Sequence, residues 1–599
     1  MSKPPQSHVW VMVIIVLLAS VVFFANIENR SLWEDEGWTL LLSDGSSPAE
    51  VIRGMVDDQH PPLYFLLMHI WRGLAGDSEF ALRALSAFFS LLTLPALYQL
   101  GRYTLGAQAG LIAALLYGLW DFSIDVAQDA RQYSLLVFLV VLSSAYFFRY
   151  LRYPKPSHGR GWFLASVAAL YTQYLAGVVL VWQALVALQY APRRLGGWLV
   201  RFGLVGLAFL PWLPIFIYHN QIRWEDPLFF QSGLPNTPET FRLLRAALVT
   251  EQFGLVIGLA GLGLLAIQYL PRWRVRLNLP ALWFGLWAGG YLLLIVALNE
   301  QREILRLRIF IAMLPPLLLL VAAGLMNLQQ SARAFLLAVL VAVSLISVDT
   351  RQNNPPWREV TQQITQGRLD DELILMDIWV GDFSARYYVE QQMGADARWA
   401  SLREMRRTQG DNFLPALWAT VENEDAFWLM RWNDDPTAYD GILAELGFQR
   451  SASPYMEHAG NRLYAHRYDR WPARELAHFG DDITLLKAHI HPQDNHIEVI
   501  LWWATDQPLA LDYSISVRLL AADGELLINA DAPPRVPSSQ WMPGALYYDQ
   551  HRLPRPPGVT SDNVQVGLSV YWYAQPDDPL TVAESDTSVL VLGNIPSAR

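Results

Sequence analysis

Trp33-Glu34-Asp35-Glu36 sets three acidic side chains just beyond the first apolar run, residues 9–25, which carries no charge. A run of that kind is nearly long enough to cross a bilayer core, which takes ~20 residues. The carboxylates therefore belong at the mouth of a membrane, where a lipid-borne reactant and a water-soluble one can meet. There a carboxylate can take the proton from an attacking hydroxyl. Three further groups offer matching chemistry: His60-Pro61-Pro62-Leu63-Tyr64, Asp129-Ala130-Arg131-Gln132-Tyr133 and an arginine group ending at Arg308. Arginine pairs bidentately with phosphate and stabilises charge developing on it as it leaves. The double proline fixes the backbone and should aim His60 and Tyr64 rigidly. His60 can orient a phosphate or help hold a cation.

Each group has a plainer alternative. The acids suit a solvated loop, and a lone histidine beside prolines suits a structural role. Asp129 and Arg131 could pair with each other, although two residues apart at a helix start they share a face poorly. Arg302, Arg306 and Arg308 could pair with Glu300 or Glu303.

The elements that must hold these groups follow from composition. The chain has 599 residues, 53% hydrophobic and 17% charged, with 24 Trp, and its mean hydropathy is positive. That is a polytopic membrane protein with something soluble attached. Cysteine is absent, which excludes a disulfide framework, a thiol nucleophile and zinc-finger spacing. The net charge of −11 argues against nucleic acid as a partner. Lys3 before the first apolar run resembles a signal peptide, but the run is long and no small-x-small cleavage site follows, so it reads as a retained helix.

Apolar runs predict helices at 9–26, 81–104, 106–120, 132–150, 161–174, 176–191, 197–218, 252–270, 280–298, 309–328 and 334–348. Basic residues flank 161–191 on both sides, so the chain should cross twice there, turning near Tyr171-Thr172-Gln173-Tyr174. The same rule puts Arg272, Arg274, Arg276 and Arg333 inside. Loops 27–60, 121–129 and 219–250 and everything after 350 then lie outside, with about eleven spans and the N-terminus cytoplasmic. Arg302, Arg306 and Arg308 break the bias by falling on the outer face, where binding an anionic group would explain them. Pro61–Leu74 is short for a span and reads as an amphipathic helix in the interface.

The soluble half divides again. Residues 351–469 mix helical (357–366, 383–392) and strand (372–376, 426–431, 464–468) patterns, which predicts a small α/β module. No glycine-rich phosphate loop is present, so no nucleotide is expected. Residues 470–599 show short apolar or alternating runs at 497–503, 512–519, 526–530 and 564–573 between Pro- and Gly-containing turns, which predicts an antiparallel β-sandwich. Residues 1–350 would form the membrane domain.

The motifs SLWEDEGWTL, DQHPPLYFLLMHIW, DSEFALRALSAFFSLL and DVAQDARQYSLLVFL, in this order and spacing, closely resemble polytopic glycosyltransferases of the GT-C fold. The similarity is to glycosyltransferase family 39, the protein O-mannosyltransferase and aminoarabinose-transferase-like group, over roughly residues 8–350. It implies a polyprenyl-phosphate sugar donor, transfer on the extracytoplasmic side and inversion at the anomeric carbon. A glycan, lipid or protein hydroxyl would accept the sugar, in the plasma (inner) membrane of a prokaryote. Asp35 matches the general base and Glu36 its partner acid. The family's Glu-Ala-Arg-x-Tyr pattern stands here as Asp129-Ala130-Arg131-Gln132-Tyr133, with Arg131 addressing donor phosphate. Arg308, seven residues before Pro315, matches an Arg-Tyr…Pro segment in which Ile309 replaces the tyrosine. Gln173 stands where relatives often carry His, so no role of that His transfers. Some relatives use a divalent metal and others do not, which leaves a metal cofactor open. The β-rich tail resembles a module appended to prokaryotic members. A lipid-linked sugar transporter and a glycan-binding surface assembly protein are the competing expectations; the one-sided cluster and the lack of internal duplication weigh against the transporter.

Overall fold

The computed structural model describes residues 5–222, 279–299, 307–346 and 354–595, apart from 370, 379–381, 434, 436, 453–454, 459, 494, 557–563, 584 and 586. The expected helix at 252–270, most of the loop at 219–250, Arg272, Arg274, Arg276, Glu300, Arg302, Glu303 and Arg306 lie outside the described residues. The chain divides into two units, Met1–Gln352 and Asn353–Arg599.

The first unit is helical: α1 Gln6–Phe24, α2 Glu34–Ser43, α3 Pro48–Gly54, α4 Leu63–Ala75, α5 Glu79–Thr104, α6 Ala107–Leu119, α7 Asp121–Ala127 and α8 Tyr133–Arg152 come first. Then follow α9 Pro156–Leu170, α10 Ala176–Tyr190, α11 Leu195–Phe209, α12 Leu213–Ile222, α13 Leu279–Asn299, α14 Leu314–Leu325 and α15 Gln330–Ile346. Helix α1 is apolar all round. It buries Ile15, Ala19, Val22 and Phe23 and leaves Trp10, Leu17 and Val21 exposed, as a helix facing lipid on one side does. Helices α5 and α8 are largely enclosed by the rest of the unit. Helices α5 and α6 cross at two glycines so close that a Cβ on Gly101 would lie 2.5 Å from the Gly110 Cα.

Among the described residues five helices are long and apolar enough to cross a membrane, six if α6 and α7, bent by 64°, form one span. The basic flanks imply about eleven spans, of which the one expected at 252–270 lies outside the described residues. Two expectations change in detail. The acidic stretch after α1 is not a plain loop: Glu34–Ser43 and Pro48–Gly54 are helical, and so is most of the expected loop at 121–129. The turn at Tyr171–Tyr174 does separate two helices, and the Tyr171 carbonyl accepts from the Leu63 N–H at 2.9 Å, fixing the start of α4.

The second unit begins with a mixed sheet in the order β2-β1-β3-β6-β4, with β5 on β6. Strands β1 (Leu373–Asp377), β2 (Trp399–Ser401) and β3 (Ala426–Trp432) are parallel, and β4 (Phe448–Ala452), β5 (Tyr455–His458) and β6 (Asn461–Arg470) complete it antiparallel. Two antiparallel four-stranded sheets follow. One runs β11-β10-β13-β14 (Leu526–Ala532, Tyr513–Ala521, Val564–Trp572, Leu590–Asn594), and the other β12-β9-β8-β7 (Tyr547–Pro554, His496–Thr505, Ile483–Pro492, Ala477–Phe479). They share one apolar core that includes Leu485, Val499, Leu501 and Trp503 from one sheet and Ile515, Val517, Val566 and Leu568 from the other, which makes a sandwich.

Arg467 joins the mixed sheet to the sandwich. It is fully buried and donates to both Glu372 oxygens at 2.6 and 2.7 Å and to Asp469 at 2.9 Å. Its guanidinium carbon lies 4.8 to 5.7 Å from the ring centroids of Tyr548, Trp428 and Trp502.

Candidate active site

Helix α2 starts through its own side chains. The Trp33 N–H donates to Glu36 Oε2 at 2.8 Å, so Glu36 closes the first turn from the third helical position. Arg83, inside apolar α5, grips the same carboxylate with Nε and Nη2 at 2.8 and 2.7 Å. Its remaining protons go to the carbonyls of Ile27, Arg30 and Ser31 at 2.8 to 3.0 Å. Glu36 Oε1 also accepts from the Ala130 N–H at 3.0 Å. This buried pair, 0% and 2% exposed, therefore ties α2, α5, the exit of α1 and the Asp129–Arg131 turn together. Burial opposes ionisation of Glu36, but Arg83 outweighs it and holds the carboxyl at about 2. Both Glu36 oxygens are thus engaged by Arg83 and by the N–H groups of Trp33 and Ala130.

Asp35, one residue earlier and so about 100° around the helix, points off that hub with its side chain 47% exposed. Arg308 Nη1 donates to its Oδ2 at 2.6 Å, and Arg308 Nε lies 3.1 Å from Asp129 Oδ2. Arg131 Nη1 donates to the Asp35 carbonyl at 3.0 Å and to Thr39 Oγ1 at 3.2 Å. The Arg131 Nε is buried and has no hydrogen-bond partner among the described residues. Burial works against the Asp35 charge, yet Arg131 and Arg308 prevail and hold its carboxyl below the usual carboxylate range. Asp129 goes the other way. Burial raises its carboxyl to about 6 although Arg308 acts against it.

His60 stands at this cluster's edge, 19% exposed, with Nδ1 at 2.7 Å from Asp58 Oδ1. Tyr64 does not share its direction, as the double proline had suggested. It is fully buried and its hydroxyl meets Ser86 Oγ at 2.9 Å, while Ser86 donates to the Arg131 carbonyl at 3.2 Å. Tyr64 thus supports the Arg131 backbone from behind. Tyr133 opens α8, 7% exposed, within the electrostatic reach of Arg131 and Arg308.

The structure brings Asp35, Asp129, Arg131 and Arg308 into one cluster, with His60 beside it. Sequence reasoning passed over Arg83, Asp58, Arg30 and Gln128. Arg30 Nη2 donates to the Gln128 carbonyl at 2.9 Å, and Gln128 Nε2 reaches the carbonyls of Val22, Phe23 and Ala25 at 2.9 to 3.3 Å. Among the described residues no group of three or more His, Asp or Glu side chains is arranged to hold a metal ion.

The family model described as dolichyl-phosphate-mannose-protein mannosyltransferase matches residues 59–218, a segment that holds His60, Arg83 and Arg131 but neither Asp35 nor Arg308. No curated protein matches the chain. A solved structure of ArnT from Cupriavidus metallidurans in the apo state is 16% identical, covers 77% of this chain and 98% of its own, and has a TM-score of 0.50. The same protein bound to undecaprenyl phosphate gives 18% identity, the same coverage and a TM-score of 0.50. These likenesses show the fold.

Proposed function

We propose that this chain, a membrane protein of the GT-C fold that is similar to glycosyltransferase family 39, moves a monosaccharide from a polyprenyl-phosphate donor to an acceptor hydroxyl. The observation that carries the reading is Asp35 flanked by Arg131 and Arg308, a half-exposed carboxylate beside two arginines. Asp35 takes the proton as the acceptor oxygen attacks the anomeric carbon. The bond from that carbon to the phosphate oxygen breaks on the opposite face, which inverts the configuration. The electron pair leaves on polyprenyl phosphate, whose charge Arg131, Arg308 and His60 absorb. Asp129 holds Arg308, while Tyr64 and Tyr133 support the Arg131 turn.

Donor binding also prepares the base. A phosphate competes with Asp35 for Arg308, and a carboxylate released from that arginine regains affinity for a proton. The reaction is placed at the outer face of a prokaryotic plasma membrane, with residues 1–350 as the catalytic domain and 351–469 and 470–599 as extracytoplasmic modules. Glycan, lipid and protein hydroxyls all suit this chemistry as acceptors.

The test is Asp35→Asn in proteoliposomes supplied with labelled lipid-linked sugar. Transfer should fall by about a hundredfold or more, with the protein still folded. Unchanged turnover defeats the base assignment. Movement of sugar lipid across the vesicle without covalent transfer favours a transporter instead.

A further inference from the structure

The Asp58 carboxylate is 6% exposed and lies in no part of the reaction described above. Three donors converge on it: Trp38 Nε1 on Oδ2 at 2.7 Å, the His60 backbone N–H on Oδ1 at 2.9 Å, and His60 Nδ1 on Oδ1 at 2.7 Å. A carboxylate this close to Nδ1 requires a proton on that nitrogen, which fixes the ring plane and leaves Nε2 as the imidazole's working atom. Nε2 has no protein partner among the described residues, and the side chain is partly open to solvent. The charged neighbours of the pair are Arg131, acting on Asp58, and Asp35, acted on by His60; His219 of α12 also lies in its field. Trp38 belongs to α2, the helix that carries Asp35. Asp58 therefore also touches the helix that carries the carboxylate base.

We propose that Asp58 is a positioning residue, which holds the His60 ring so that Nε2 faces the phosphate oxygen of the lipid-linked donor. This rests on the donor reading given above. An unheld imidazole would have to be ordered at each binding event. One already bound to a buried carboxylate has lost that freedom beforehand. The Asp58 charge also faces the positive charge that the ring carries when Nε2 donates, as in carboxylate–histidine pairs elsewhere.

A double-mutant cycle tests it on the full-length protein in detergent, reading the dissociation constant of a short-chain polyprenyl monophosphate at fixed pH. D58N and H60A should each weaken binding by about tenfold, and D58N/H60A should be no weaker than H60A alone. W38F, which withdraws the other side-chain donor from Asp58 but leaves its bond to His60, should stay within about twofold of the natural protein. The proposal is overturned if D58N leaves binding unchanged, if it costs as much without His60 as with it, or if W38F matches D58N. Failure of the natural protein to bind the phosphate sinks the donor reading itself, and Asp58's role with it.

Discussion

Arg308 Nη1 lies 2.6 Å from Asp35 Oδ2, although 273 positions separate the two residues in the chain. The same guanidinium reaches Asp129 through Nε, so one arginine spans two carboxylates on different segments. This bridge needs a planar fork. A lysine ammonium carries the charge but cannot address both oxygens in fixed directions.

Arg308→Lys should therefore lose about a hundredfold in turnover with lipid-linked sugar while remaining folded. Steady-state transfer in proteoliposomes checks this. Full activity in the lysine variant would show that charge alone suffices.

Asp129 gives the site a pH dependence. With its carboxyl raised to about 6 by burial, it is ionised at pH 8 and sets a negative charge beside Arg308, the arginine proposed to receive the donor phosphate. As pH falls through 6 it becomes neutral and the repulsion disappears. Donor affinity should rise as pH falls from 8 to about 6, by up to about tenfold per pH unit, and level off below. The donor is a phosphodiester and does not itself titrate there, and Asp35 stays ionised because its carboxyl is held low. Asp129→Asn should flatten the profile, as dissociation constants measured across this range would show.

Glu36 and Asp35 are neighbours with opposite expected phenotypes. Glu36→Gln leaves Arg83 buried without its counter-ion, which costs about 3–5 kcal/mol. Thermal unfolding in detergent should show a large loss for that variant. Asp35→Asn, at a side chain nearly half exposed, should unfold close to the natural protein.

Arg467→Met should leave Glu372 and Asp469 buried and unpaired, again about 3–5 kcal/mol. Because the guanidinium also lies against Trp502 and Tyr548, strands β3 and β9 should lose hydrogen-exchange protection together. Loss in β3 alone would show that the mixed sheet and the sandwich open independently.

Much of the candidate cluster was legible because charges at the end of an apolar run have few harmless places to go. Asp35, Arg131 and Arg308 stood out for that reason. Arg83 did not, since it sits mid-pattern in α5 and reads as one polar residue on an apolar helix. The signal was there: an arginine inside such a helix needs a buried acid. Helix α2 was missed because its N-cap is Trp33 and not Ser or Thr, so the closing contact from Glu36 had no sequence signature. Strands β8 (ITLLKAHIHP) and β12 (YYDQHRLP) were missed as well. Their Lys, His, Gln and Arg residues mask the apolar alternation that gave β9 and β13 away.

The Gln128 amide grips the last carbonyls of α1, and that makes the first helix more than hydrophobic ballast. A chimera that replaced residues 6–24 with a foreign span of equal length and apolarity would still insert. A slip of one residue at its end would rotate those carbonyls by about 100° and drag on the segment leading to Arg131. The lipid-facing positions Trp10, Leu17 and Val21 are free to drift, whereas the final turn must keep its phase.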